Sequence, residues 1–221
     1  MRVLCIATHP DDETLGVGGA LLRHRAAGDE IHWMIITSSS AADFGEEFAA
    51  ARPAVIAAVA EAYQFSTTVE LGFAAARLSE TPERDLIGRI DEAVRTVSPD
   101  VIYLNHGGDI HSDHSIAFNA TMSAAKPFRA GKSVRRILTY ETPSETEQAP
   151  PLPGRSFLPN VFIDISAHLI GKLEIFDLYE TEQQARPLPR ERSAITALAR
   201  WRGATIGTES AEAFVLMREI L

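Results

Sequence analysis

The chain reads as an α/β protein with a mostly parallel sheet flanked by helices. Three observations predict this. Short, continuous apolar runs such as Val3 to Ala7 and Val101 to Leu104 have the character of strands covered on both faces. Stretches with helical signals alternate with such runs along the chain. The residues richest in chemistry fall directly after two of the runs, at the strand ends where sheets of this class bind ligands.

The elements follow in order. Val3 to Ala7 is the first strand, and Thr14 to Gly28 a helix with Gly28 as its stop signal. Ile31 to Thr37 is the second strand, followed by a small-residue polar loop from Ser38 to Gly45. Glu46 to Tyr63 is Ala-rich and helical, with Pro53 a local irregularity. Thr67 to Leu71 is the third strand. Thr81 and Pro82 mark the N-cap and first residue of a helix ending near Val97. Val101 to Leu104 is a strand, a polar loop follows it, and Ile116 to Lys126 is helical. Ile137 to Tyr140 is a strand. Thr142 to Pro159 holds Pro143, Pro150, Pro151, Pro153 and Pro159, and reads as a lid or binding loop or as a surface excursion. Val161 to Ile165 is a strand, Ala167 to Ala185 a helix, and Arg190 to Arg202 the last helix. Ala213 to Leu221 is an apolar run placed to close the sheet. No repeat or linker divides the chain, so residues 1–221 are read as one domain.

Composition narrows the function. The 221 residues carry a formal net charge of −9, which speaks against a nucleic-acid partner. Cys5 is the only cysteine and lies in an apolar strand, so it is read as buried and structural. Neither a secretory signal nor a membrane span is recognisable, and the expected compartment is the cytoplasm.

Two clusters concentrate the chemistry: His9-Pro10-Asp11-Asp12-Glu13, and Asp109-Ile110-His111-Ser112-Asp113-His114. His9 and Asp12 are spaced to converge on one ion across a strand-to-helix turn. If Asp12 is a ligand, Asp11 is free to act as a general base on the water the metal activates. Glu13 is placed to support a ligand or the helix N-terminus. Of His111 and His114, one can complete the three protein ligands usual for hydrolytic zinc. The other can then serve the oxyanion and the leaving group, with Asp113 orienting it and raising its pKa. Gly16-Val17-Gly18-Gly19 lacks the full dinucleotide pattern and is read as close packing of the first helix on the sheet.

These clusters resemble those of the LmbE/PIG-L family of zinc-dependent de-N-acetylases. Lys172, Tyr179 and Thr181 resemble the family's late helix. Arg202-Gly203, Gly207 and Ala211-Glu212-Ala213-Phe214 resemble its C-terminal signature. The resemblance implies a Rossmann-like, three-layer fold and the removal of an acetyl group from an N-acetylated amino sugar or its conjugate. It implies that His9, Asp12 and His114 bind Zn2+ and that Asp11 is the general base. It also implies that His111, paired with Asp113, stabilises the oxyanion. Arg52 sits where relatives often carry a substrate-binding arginine, although Val55 stands where a Glu usually follows. Alanines near Ala75 occupy the place of a frequent Asp. The resemblance also leaves room for a homo-oligomer.

His106 is a candidate substrate contact, and Asp109 a candidate for orienting a ligand. Arg186, Arg190, Arg192, Arg200 and Arg202 read mainly as a solvated helix face. Two alternatives stand beside the deacetylase. One is a metal hydrolase acting on a different amide or ester. The other is a non-catalytic, Rossmann-like nucleotide-binding module.

Overall fold

The computed structural model describes residues 1–221. Seven strands form one sheet: β1 (Arg2–Ala7), β2 (Glu30–Ser38), β3 (Thr67–Ala74), β4 (Val101–Asn105), β5 (Arg136–Tyr140), β6 (Val161–Asp164) and β7 (Ala211–Glu219). Their order is β3-β2-β1-β4-β5-β7-β6. The first five strands in that order pair in parallel, whereas β7 runs antiparallel to both β5 and β6. The run predicted to close the sheet therefore lies inside it, one strand from the edge.

Seven helices accompany the sheet: α1 (Asp12–Ala26), α2 (Ala41–Phe44), α3 (Glu46–Tyr63), α4 (Glu83–Val97), α5 (Ser112–Ala124), α6 (Leu169–Phe176) and α7 (Arg192–Ile206). None is long and apolar enough to cross a membrane. Strand alternation divides the core in two. Val3, Cys5 and Ala7 of β1 pack with α1, α3, α6 and α7, while Leu4 and Ile6 pack on the opposite face with α4 and α5. The result is the expected three-layer, mostly parallel α/β fold, with Cys5 fully buried in one of its cores.

The glycine run acts as packing. A Cβ on Gly16 would come within 2.1 Å of the Tyr140 ring, and one on Gly19 would strike Ile165. An added methyl in such a contact costs about 1–3 kcal/mol. The same close approach seats α1 on the sheet, as the sequence reading of this run expects.

Several boundaries move from the sequence reading. β3 extends to Ala74, and α2 forms within the expected Ser38–Gly45 loop. α5 starts at Ser112 rather than Ile116, because the His111 side chain accepts the Asp113 N–H as a cap. The second cluster therefore opens a helix instead of filling a loop. α6 stops at Phe176, well short of Ala185. The chain turns there to bury Tyr179, whose hydroxyl donates to buried Glu13 at 2.7 Å.

Strand order reverses between β1 and β4, which makes their carboxyl ends the crevice where parallel sheets bind ligands. Asn105 Oδ1, at the end of β4, accepts from the Thr8 N–H at 3.0 Å and the Thr8 hydroxyl at 2.9 Å. This ties the two strand ends together where both clusters emerge.

Candidate metal centre and active site

Both clusters meet in that crevice. His9 Nδ1 lies 3.6 Å from Asp12 Oδ2 and 3.3 Å from His114 Nε2. His114 Nε2 lies 3.5 Å from Asp12 Oδ2. Donors about 2.0–2.2 Å from a tetrahedral zinc stand about 3.3–3.6 Å from one another. The triangle therefore has the size and the N,N,O chemistry that fit a divalent ion. His111 adjoins it, its ring centroid 4.4 Å from that of His9, and a nitrogen from each of His9, His111 and His114 falls within a span of 4.8 Å.

Each triangle histidine is backed by a carboxylate, the arrangement that fixes a ligand's ring and tautomer. His114 Nδ1 is 2.8 Å from Asp109 Oδ2, and Asp109 is held in turn by the Thr146 hydroxyl. His9 Nε2 is 3.3 Å from Asp113 Oδ2. Asp113 also accepts the Ala76 N–H at 2.7 Å and the Leu78 N–H at 3.1 Å. The pairing of Asp113 with His111 is thus replaced by a pairing with His9. The first turn of α5 holds the carboxylate on those backbone donors. His111 Nδ1 instead accepts the backbone N–H of Asp113 at 3.2 Å. Its pKa is lowered to about 4, by burial first and then by the charges of His9 and His114; Asp113 opposes this only in part. His111 is therefore neutral at pH 7, with its proton on Nε2.

Burial disfavours the charged form of His9, but hydrogen bonds to Asp113 and Asp12 overcome it and raise its pKa to about 10. Burial likewise opposes the ionised form of Asp12, and the charges of His114 and His9 hold it well below the usual carboxylate range. Asp11, at φ +142°, is pushed up by burial, while Arg190 pulls the other way. Glu13 is raised to about 7 by burial, against bonds from Thr14 and Tyr179.

A cavity of about 300 Å³ opens above this floor. Phe44, Phe48, Ala75 and Ala76 form one part of its wall, and Arg52, Glu145, Glu182 and Arg190 the charged remainder. Arg52 lines the wall, with its guanidinium 4.8 Å over the Phe48 ring and Nη2 donating to Glu182 Oε1 at 2.8 Å. Glu182, far along the chain, supplies the carboxylate that Arg52 bonds. His106 lies elsewhere: its Nε2 meets the Arg155 carbonyl at 2.9 Å and its ring abuts Phe157, so it anchors the proline-rich segment instead of lining the cavity. Arg190 is the largest departure. It leaves the expected solvated face and donates to Asp11 Oδ2 at 2.8 Å. Arg202 also leaves that face, forking onto Glu141.

Residues 4–125 match the family model described as PIG-L, GlcNAc-PI de-N-acetylase. The chain belongs to the PIG-L family. Its members are metal-dependent deacetylases, hydrolases that cleave an amide C–N bond. A protein of Escherichia coli K12 named as the uncharacterized deacetylase YaiS is 29% identical over 167 residues, covering 72% of this chain and 80% of that protein. Among solved structures, a conserved protein of Thermus thermophilus has 25% identity and a TM-score of 0.76, with 99% of this chain and 96% of that one covered. The N,N'-diacetylchitobiose deacetylase of Pyrococcus horikoshii has 19% identity and a TM-score of 0.76, over 98% of this chain and 83% of that one. GalB, the 4-carboxy-2-hydroxymuconate hydratase of Pseudomonas putida, also reaches 0.76, at 17% identity over 100% and 97%. One architecture carries both deacetylation and hydration, so membership of the family, not the shared fold, points to the reaction.

Proposed function

We propose that this protein is a zinc-dependent deacetylase that removes the acetyl group from an N-acetylated amino sugar or its conjugate. The observation that carries the reading is the donor triangle of His9, Asp12 and His114 with Asp11 beside it. When bound there, zinc acts as a Lewis acid toward the amide carbonyl and lowers the pKa of water.

The protein's own groups do the rest. Asp11 takes the proton of the attacking water as general base. His111, neutral and protonated on Nε2, donates a hydrogen bond to the oxyanion of the tetrahedral intermediate. The proton held on Asp11 then passes to the leaving nitrogen, and acetate and a free amine result. Asp109 and Asp113 keep His114 and His9 aimed while this happens. Arg52 and the phenylalanines of the wall hold the sugar or its aglycone.

The test is a mass-spectrometric screen of N-acetylated amino sugars and nucleotide sugars, run with and without chelator. Loss of one acetyl group, abolished by chelator and restored by zinc, is the expected result. Asp11→Asn should retain zinc while turnover falls by about 10²- to 10⁴-fold. Turnover indifferent to chelator would sink the metal reading, and near-normal turnover by Asp11→Asn would sink the base assignment.

A further inference from the structure

Asp11 is a strained residue with a single side-chain partner. Its φ of +142° lies where residues other than glycine are held only by their surroundings, at a cost of about 1–3 kcal/mol. Its backbone N–H is tied to Glu13 Oε2 at 3.1 Å. Its carboxylate is bonded to Arg190 Nη1 alone, at 2.8 Å through Oδ2. That grip leaves Oδ1 free of protein donors and open to receive a proton.

The guanidinium is itself anchored on two other segments. Nε donates to the Ser144 hydroxyl at 2.7 Å and to the Pro143 carbonyl at 3.3 Å. Nη2 donates to Glu145 Oε1 at 3.3 Å. Glu182 Oε2 lies 3.5 Å from Nη1, while the other Glu182 oxygen holds Arg52. The Arg190 side chain is only 14% exposed, so these bonds sit largely out of water. A planar fork bonded on several sides fixes direction as well as charge, which an ammonium does not.

We infer that Arg190 is a positioning residue for deacetylation: anchored on Pro143–Glu145 and Glu182, it aims the Asp11 carboxylate at the reacting water. The inference rests on the reading of Asp11 as general base. A base acts only within hydrogen-bond reach of its proton, and a misplacement of about 1 Å costs about 10²-fold.

The experiment is steady-state kinetics of the zinc-loaded enzyme on the acetylated amino sugar turned over fastest in the screen above. Arg190→Ala, Arg190→Lys, Asp11→Asn and the Asp11→Asn/Arg190→Ala double variant are compared, with metal content and melting temperature measured on each. Arg190→Ala should lose about 10²-fold in kcat at full zinc loading, with KM nearly unchanged. Arg190→Lys should recover part of that loss. Millimolar guanidinium chloride, but not sodium chloride, should partly restore Arg190→Ala. The second substitution should add little to Asp11→Asn, because both act through one group. Wild-type kcat in Arg190→Ala, a raised KM at unchanged kcat, or full additivity in the double variant would overturn the role. Should the alanine variant not fold, wild-type kcat in Arg190→Lys overturns it equally. Full turnover by Asp11→Asn would instead strike the base assignment on which this role depends.

Discussion

The floor and the wall of the cavity are built in different ways. His9, Asp11, Asp12, His111 and His114 come from two short stretches that follow β1 and β4 where the strand order reverses. Phe44, Phe48, Arg52, Glu145, Glu182 and Arg190 come from separate helices, loops and turns. The floor is thus a local property of two strand-to-helix turns. The wall is a property of how distant segments pack. Bond-breaking chemistry needs a few donors at fixed short distances, which one turn of chain supplies. Recognition needs a surface, which one turn cannot supply.

The strongest challenge to this contrast is damage to the floor. His114→Ala leaves His9 and Asp12 as two donors, and zinc content should fall with turnover, to the level of the chelated wild type. Wild-type zinc content after desalting, read by atomic emission, would remove His114 from the floor. One layer back the effect should shrink. Asp109→Asn and Asp113→Asn loosen the rings of His114 and His9, and zinc affinity should drop about 10- to 100-fold in competition with a chromophoric chelator. An effect of Asp113→Asn on turnover with no change in affinity would return Asp113 to His111.

Proton linkage sharpens the same point. The metal-free His9 pKa is raised to about 10 because bonds to Asp113 and Asp12 outweigh burial. Its proton is present at neutral pH and must leave before the nitrogen can bind an ion. Apparent zinc affinity should therefore rise with pH up to that value, by as much as about tenfold per unit. Calorimetry in buffers of different ionisation enthalpy would show the released proton, and its absence would exclude His9 as a ligand. The smallest effect belongs to the wall. Phe44 is 41% exposed, so Phe44→Ala should leave kcat and melting temperature near wild type. KM should rise a few-fold, equivalent to about 1 kcal/mol of aromatic contact. A fall in kcat with no change in KM would erase the distinction between floor and wall.

Legibility in the sequence follows the same division. His9, Asp11 and Asp12 lie within four residues of one another and His114 lies in the second cluster, and apolar runs announce the strands before both, so spacing alone brought His9 and Asp12 together. Asp109 and Asp113 were visible as carboxylates, but the partner of Asp113 was not. That partner depends on α5 beginning at Ser112 and on the Ala76 and Leu78 backbone N–H groups reaching its carboxylate. The start of α5 was hidden because Ser112 to Ser115 is polar and shows no helical periodicity. Arg190 was hidden among similar arginines, with nothing local to distinguish it from Arg186 or Arg192, which remain exposed. His106 showed the reverse: placed just before a reactive cluster, it was drawn off by the carbonyl of Arg155.

By itself the sequence determined the alternation of strands and helices, the strand ends that carry chemistry, and the residue types needed to hold an ion and move a proton. These follow from patterns of two to about four residues, the reach of backbone geometry. Tertiary structure alone decided that Glu182 serves Arg52, that Asp113 serves His9, and that Arg190 crosses to Asp11. Each pairing joins residues far apart in the chain. A buried charge settles on whichever partner the packed fold brings within about 3 Å, because leaving it unpaired costs more than any local preference can offset.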